Sequence, residues 1–161
     1  MPVSSNNRPA VTASTDKQTI LLVDDDSAVR EMVGRVLIGE GYRVFPAANG
    51  PEALTIAATA AVDLVLLDLN LPGQNGWDTF ERLTSGNPLL AVIIITARPQ
   101  QLFTAVNAGV GALMEKPLNF PKLLKTIRDL LVEAPETRLT RFAGKRAYFH
   151  YLPTPRLALF Q

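Results

Sequence analysis

Short apolar runs alternate with helix-patterned segments five times along this chain, and that alternation limits the fold more than any other feature. The runs are Thr19–Val23, Arg43–Ala47, Leu64–Leu67 closing on Asp68, Ala91–Ile95 and Ala112–Glu115. They are short, rich in β-branched residues and bounded by turn signals, which predicts strands. Between the first two, Ser27 to Glu40 carries Val29, Met32, Val33, Val36 and Leu37 at helical spacing. Asp26 or Ser27 is its expected N-cap and Gly41 its stop. A second helix opens at Asn49-Gly-Pro-Glu and runs to about Ala61, with Pro51 near the first turn. Trp77–Leu83 and Gln100–Ala108 read as two more helices. Asn119 caps a last one, with Leu123, Leu124, Ile127, Leu130 and Leu131 on one face. Strands apolar on both faces, separated by helices, predict an α/β fold with a parallel sheet covered on both sides. Right-handed crossovers make it a doubly wound, five-stranded sheet.

The chain has 161 residues, enough for one domain with tails and a real core. It has no cysteine, which excludes a disulfide framework, a thiolate nucleophile and a thiolate zinc site. The formal net charge of +1 argues for neither nucleic acid nor membrane as a general partner. The charge is uneven, however. Residues 1–133 carry 11 Lys/Arg against 14 Asp/Glu, and residues 134–161 carry 5 against 1. The polar stretch MPVSSNNRPAVTASTDKQ lacks the apolar core of a signal peptide, and no apolar run is long enough to span a bilayer. A cytoplasmic protein is the expectation.

Ligands of open parallel sheets sit at the carboxyl ends of the strands. The polar residues fall at those ends: Asp24 and Asp25 after the first strand, Asp68 after the third, Thr96 after the fourth, Lys116 after the fifth. Carboxylates gathered there repel one another, and a hard divalent cation relieves the repulsion; oxygen-only ligands favour Mg²⁺. A cation, a hydroxyl and an ammonium placed in advance suit phosphoryl transfer, with one carboxylate as nucleophile. Asp68, which opens the loop Asn70-Leu-Pro-Gly-Gln-Asn-Gly76, is the best candidate nucleophile.

Four separated segments, ILLVDDD (20–26), DLVLLDLNLPGQNG (63–76), IIITA (93–97) and EKP (115–117), resemble the response-regulator receiver family of two-component systems. The resemblance covers about residues 19–133. It implies a flavodoxin-like, CheY-like (βα)5 fold with strand order 2-1-3-4-5. It implies that Asp68 accepts a phosphoryl group from a sensor histidine kinase or a histidine phosphotransfer protein. Asp25, Asp68 and the backbone carbonyl of Asn70 would ligate Mg²⁺, with Asp24 acting through water. Thr96 and Lys116 would contact the phosphoryl group, and the Lys116–Pro117 bond would be cis. Asn70 and Arg98 flank the site and would tune the phosphoryl lifetime. The chain would act as a phosphoacceptor rather than an enzyme proper, and would signal to an unknown downstream protein or relay its phosphoryl group. One position departs from the family: Leu113 stands where a switching aromatic is usual.

The expected division is a leader at 1–17, a receiver domain at 18–133 and a tail at 134–161, the receiver otherwise standing alone. The tail interleaves Arg138, Arg141, Lys145 and Arg146 with Leu139, Phe142, Tyr148, Phe149 and Tyr151. Such a pattern could meet phosphates, but it matches no specific nucleic-acid motif, so a nucleic-acid partner is not expected. The plainer expectation is a segment folded back on the body or without fixed structure. His150, the only histidine, is expected on the surface. Trp77 is expected to pack locally, and Ala108-Gly-Val-Gly111 to end a helix. Two rival functions remain open. Asp24-x-Asp26 resembles the first motif of haloacid-dehalogenase-like phosphatases, although the acidic pair that family needs after the lysine is missing. A module that works through its tail without phosphate is the other.

Overall fold

The computed structural model describes residues 17–71, 73, 75–97, 99–143 and 149–155. Its elements are β1 (Thr19–Val23), α1 (Ser27–Gly39), β2 (Arg43–Ala47), α2 (Gly50–Thr59), β3 (Leu64–Asp68), α3 (Gly76–Gly86), β4 (Ala91–Thr96), α4 (Leu102–Ala108), β5 (Ala112–Glu115), α5 (Phe120–Leu131), α6 (Pro135–Phe142) and β6 (His150–Leu152). A 3₁₀ turn, Pro99–Gln101, leads into α4. All pairings are parallel, in the order β2-β1-β3-β4-β5-β6. The order 2-1-3-4-5 holds, and a sixth strand extends the expected five.

Period-two alternation divides the buried residues between two cores. Ile20, Leu22, Leu64, Leu66, Ile93 and Met114 face α1 and α5, meeting Val33, Leu37, Leu123, Ile127 and Leu130. Leu21, Val23, Val65, Leu67, Ile94 and Leu113 face the other way, toward Ala53 of α2, Phe80 and Leu83 of α3, and Ala105 of α4. Each fully buried Leu or Ile contributes roughly 2 kcal/mol of transfer free energy.

The caps follow the sequence. Asp26 accepts from the N–H of Ala28 (2.9 Å) and Val29 (3.3 Å), Asn49 from Glu52 (2.9 Å), and Asn119 from Lys122 (3.0 Å). Helix α3 outlasts the expected Leu83. Thr84 Oγ1 and Ser85 Oγ bond back to the carbonyls of Phe80 and Arg82, both at 2.9 Å, so these weak helix formers stay in the helix. Helix α4 ends at Gly109, whose φ of 77° suits glycine. Trp77 packs edge-on against Phe80 and donates Nε1–H to Gln101 Oε1 at 2.8 Å.

The basic tail folds back on the body. α6 docks on the segments that lead into β4 and β5. Arg138 donates to the carbonyls of Leu89 (3.0 Å) and Leu130 (2.7 Å). Arg141, only 3 % exposed, forms a two-armed pair with Glu133 (2.6 and 2.8 Å). These two cations point inward, which removes them from the phosphate-contacting reading of the tail. Lys145, Arg146 and Tyr148 lie outside the described residues, as do the leader residues 1–16. α5 and α6 together form the crossover that a parallel neighbour of β5 requires. His150 is half-buried in β6, its N–H bonded to the Gly111 carbonyl at 3.1 Å.

Candidate phosphoryl-acceptor site

Two strand ends bring the acidic residues together. β1 ends at Val23, so Asp24 and Asp25 emerge at the carboxyl rim, and Asp24 is held there by its N–H to the Ala47 carbonyl (3.1 Å). Asp68 is the last residue of β3, next to β1, and is 2 % exposed. One carboxylate oxygen from each of Asp24, Asp25 and Asp68 falls within 4.8 Å of the others. Asp24 is buried and Asp25 exposed, so the cluster opens to solvent on the Asp25 side.

Lys116 follows β5 on the same rim. Its Nζ donates to Asp68 Oδ2 at 2.8 Å and to Asp24 Oδ2 at 3.4 Å. Its backbone N–H donates to the Thr96 carbonyl at 2.9 Å, and the bond to Pro117 is cis, as the family resemblance implied. Thr96 ends β4 and is 3 % exposed. Asn70 donates its N–H to Asp68 Oδ1 at 2.8 Å, which ties the loop to the carboxylate. Gly76 lets that loop close: a Cβ there would lie 2.6 Å from the Leu69 Cα. Arg98, Pro72 and Gln74 lie outside the described residues.

The charges are out of balance. Burial pushes the Asp24 carboxyl above the usual carboxylate range, and the Asp68 charge adds to this against the Asp26 N–H and Lys116. Burial alone would weaken the Lys116 ammonium. Its hydrogen bond to Asp68 and the charges of Asp68 and Asp24 outweigh that and hold it above the ordinary lysine value. Three carboxylates and one ammonium leave a negative excess made of oxygen donors, a set that suits a hard cation such as Mg²⁺.

The expected residues therefore meet: Asp24, Asp25, Asp68 and Lys116 by distance, and Thr96 and Asn70 by strand and loop position. Arg30 and the Gln101 side chain went unread in the sequence as neighbours of the site. Arg30 reaches from α1 to the Asp24 carbonyl at 2.6 Å. Gln101, Trp77, Thr96, Leu69, Asn70 and Asn75 line a cavity of about 100 Å³ beside Asp68. The only sequence signal for Arg30 was its place one turn into α1. The phosphatase reading loses its second aspartate, because the Asp26 carboxylate is engaged as the α1 cap. Its missing acidic pair is not supplied either. Asp129 pairs with Lys125 (2.6 Å) and Glu133 with Arg141, both away from the rim.

Comparison with known proteins identifies the family of the fold. The family model described as the response regulator receiver domain matches residues 20–128. Sporulation initiation phosphotransferase F of Bacillus subtilis is 34 % identical over 116 residues, covering 71 % of this chain and 94 % of its own. The probable transcriptional regulatory protein TcrX of Mycobacterium tuberculosis is 33 % identical over 115 residues, and the chain spans about half of that relative's length (49 %). Among solved structures, a CheY-like receiver domain protein of Methanospirillum hungatei superposes with a TM-score of 0.68 at 32 % identity, covering 71 % of this chain and 94 % of that one. TrrA of Thermotoga maritima, solved in complex with Mg²⁺-BeF, gives 0.66 at 29 % identity, covering 70 % and 98 %. The chain belongs to the response regulator receiver domain family of two-component systems. The family match ends before α6 and β6. Among the described residues, no helix is long and apolar enough to cross a membrane.

Proposed function

We propose that this chain accepts a phosphoryl group on Asp68 from the phosphohistidine of a sensor histidine kinase or a histidine phosphotransfer protein. The observation that carries the proposal is the Lys116 Nζ at 2.8 Å from a buried Asp68 carboxylate that shares its rim with two more carboxylates. A buried acid with a fixed ammonium and surplus oxygen donors is equipped to make and hold an acyl phosphate.

In the reaction an Asp68 oxygen attacks phosphorus, the P–N bond to the donor imidazole breaks, and the imidazole leaves carrying a proton. Lys116 neutralises charge that gathers on the phosphoryl oxygens. The Thr96 hydroxyl, at the end of the neighbouring strand, serves as their hydrogen-bond donor. The Asn70 N–H on Asp68 Oδ1 fixes the carboxylate plane. Asp25, Asp68 and the Asn70 carbonyl would hold Mg²⁺, with Asp24 through water. The bound ion would supply the charge neutralisation that the carboxylates need and the phosphoryl group shares. The chain thus assists its own phosphorylation and dephosphorylation without turning over a separate substrate. Its output is a protein–protein contact or a further phosphoryl transfer, in the cytoplasm where kinase phosphohistidine is made.

Incubation with acetyl phosphate and Mg²⁺, followed by intact mass measurement, tests the reading. One added phosphoryl group is expected on the wild type and none on Asp68→Asn or when Mg²⁺ is chelated. Equal labelling of Asp68→Asn would overturn the assignment.

A further inference from the structure

β6 runs parallel to β5, so its carboxyl end arrives at the same rim as Lys116. There Thr154 donates its N–H to Glu115 Oε2 at 3.1 Å. Its hydroxyl is shared between the carbonyls of Glu115 (3.3 Å) and Lys116 (3.1 Å). Tyr151 Oη donates to Glu115 Oε1 at 2.7 Å. The tail therefore clasps two residues, and the second is the lysine bonded to Asp68. Beyond this clasp the strand is held by its parallel pairing with β5 and by the His150 N–H on the Gly111 carbonyl. It is three residues long, on the sheet edge, with Leu152 and Phe149 as its apolar anchors. Leu113, beside Tyr151 in the register, is fully buried and carries no polar side-chain atom, so the connection runs through Glu115 and Lys116.

We infer that the outer edge of β5, together with Glu115, is a strand-docking site filled by the chain's own tail, and that phosphorylation of Asp68 loosens that docking. The inference rests on the phosphoacceptor reading. Phosphoryl oxygens lie farther from β3 than the carboxylate that Lys116 now holds, so the ammonium must follow them. Any movement that its side chain does not absorb shifts the Lys116 peptide. The shared Thr154 hydroxyl already sits beyond the usual O–H···O range, so a shift of the Lys116 carbonyl away from it weakens the clasp. A clasp fitted to the unphosphorylated position favours that state, and a ligand of the other state opposes it. Linkage makes the effect mutual: whatever the phosphoryl group does to tail docking, docking does to phosphoryl-site affinity.

Hydrogen exchange of residues 149–155 in the full chain, with Mg²⁺ alone and with Mg²⁺ plus beryllofluoride, tests this. Beryllofluoride is expected to speed exchange of the β6 amides by roughly three- to tenfold, the effect of losing one or two hydrogen bonds. Thr154→Val, which keeps the shape and removes the hydroxyl, is expected to exchange fast with Mg²⁺ alone. By calorimetry it is also expected to bind beryllofluoride more tightly by a similar factor. Tyr151→Phe is expected to shift both readouts in the same direction. Tight binding with unchanged β6 exchange, or unchanged affinity in Thr154→Val, would overturn the docking inference and leave the phosphoacceptor reading standing. Wild-type chain that fails to bind beryllofluoride, or binding that survives in Asp68→Asn, would overturn both.

Discussion

At the carboxyl rim, Asp24 and Asp68 pair with Lys116 and have Asp25 beside them, whereas below β4 and β5 the single carboxylate of Glu133 serves Arg138 and Arg141. Both clusters bury charge, but they complete it differently. The arginines place donors on the carbonyls of Leu89 and Leu130 and on both oxygens of Glu133, so each of these partners lies within the chain, although Arg138 Nε is buried without a hydrogen-bond acceptor among the described residues. The rim has a surplus of carboxylate and a raised Asp24 pKa, and a proton or a bound cation can balance it. Buried cations tied to carbonyls and a carboxylate of the chain mark a joint, and clustered oxygen donors beside a solvent-facing carboxylate mark a site.

Breaking the closed cluster should have the larger effect. Glu133→Ala strands two guanidinium groups in a dry interface and is expected to cost about 3 kcal/mol in urea unfolding, with faster exchange across α6. Phosphoryl uptake on Asp68 should persist, which separates joint from site. Gly109→Ala comes next. Its Cβ would lie 2.5 Å from the Phe142 Cα, at a φ of 77°. A loss of roughly 1–3 kcal/mol is expected, read by thermal unfolding, with the disturbance centred on α6.

Asp24→Asn is expected to act in the opposite direction, on the open cluster. The folded-state pKa of Asp24 lies above its unfolded value, so its charged form opposes folding. That penalty is complete above the raised pKa and vanishes as pH falls below the ordinary carboxylate value. Without Mg²⁺ the wild type should therefore gain stability on mild acidification from neutral pH. Asp24→Asn should start more stable at neutral pH and gain less on acidification. Its stabilisation by added Mg²⁺ should shrink. Unfolding curves at neutral and mildly acidic pH, with and without Mg²⁺, check all three.

The open cluster was legible in the sequence and the closed one was not, and the reason is physical. Asp24, Asp68, Thr96 and Lys116 each end an apolar run, and a parallel sheet has one carboxyl rim, so the pattern alone brings them together. Asp26 as a cap and the end of α4 at Gly109 were readable for the same local reasons. Glu133 lies between α5 and α6 and Arg141 eight residues further on, so no i,i+3 or i,i+4 spacing announces the pair. A basic segment also looks solvated until packing turns it inward. β6 has three residues and no period to detect, and it forms because β5 offers an unpaired edge, a tertiary fact that no local pattern encodes. The length of α3 was missed because Thr84 and Ser85 are poor helix formers until their hydroxyls bond back to the helix.

Reduction of the acyl phosphate with borohydride after phosphodonor treatment, followed by peptide mapping, locates the modified residue. Homoserine in place of Asp68, formed only with Mg²⁺ and phosphodonor, is the predicted result. Homoserine at Asp24 or Asp25, or reduction at no acidic residue of a protein that has gained phosphoryl mass, would contradict the assignment of Asp68 as the acceptor.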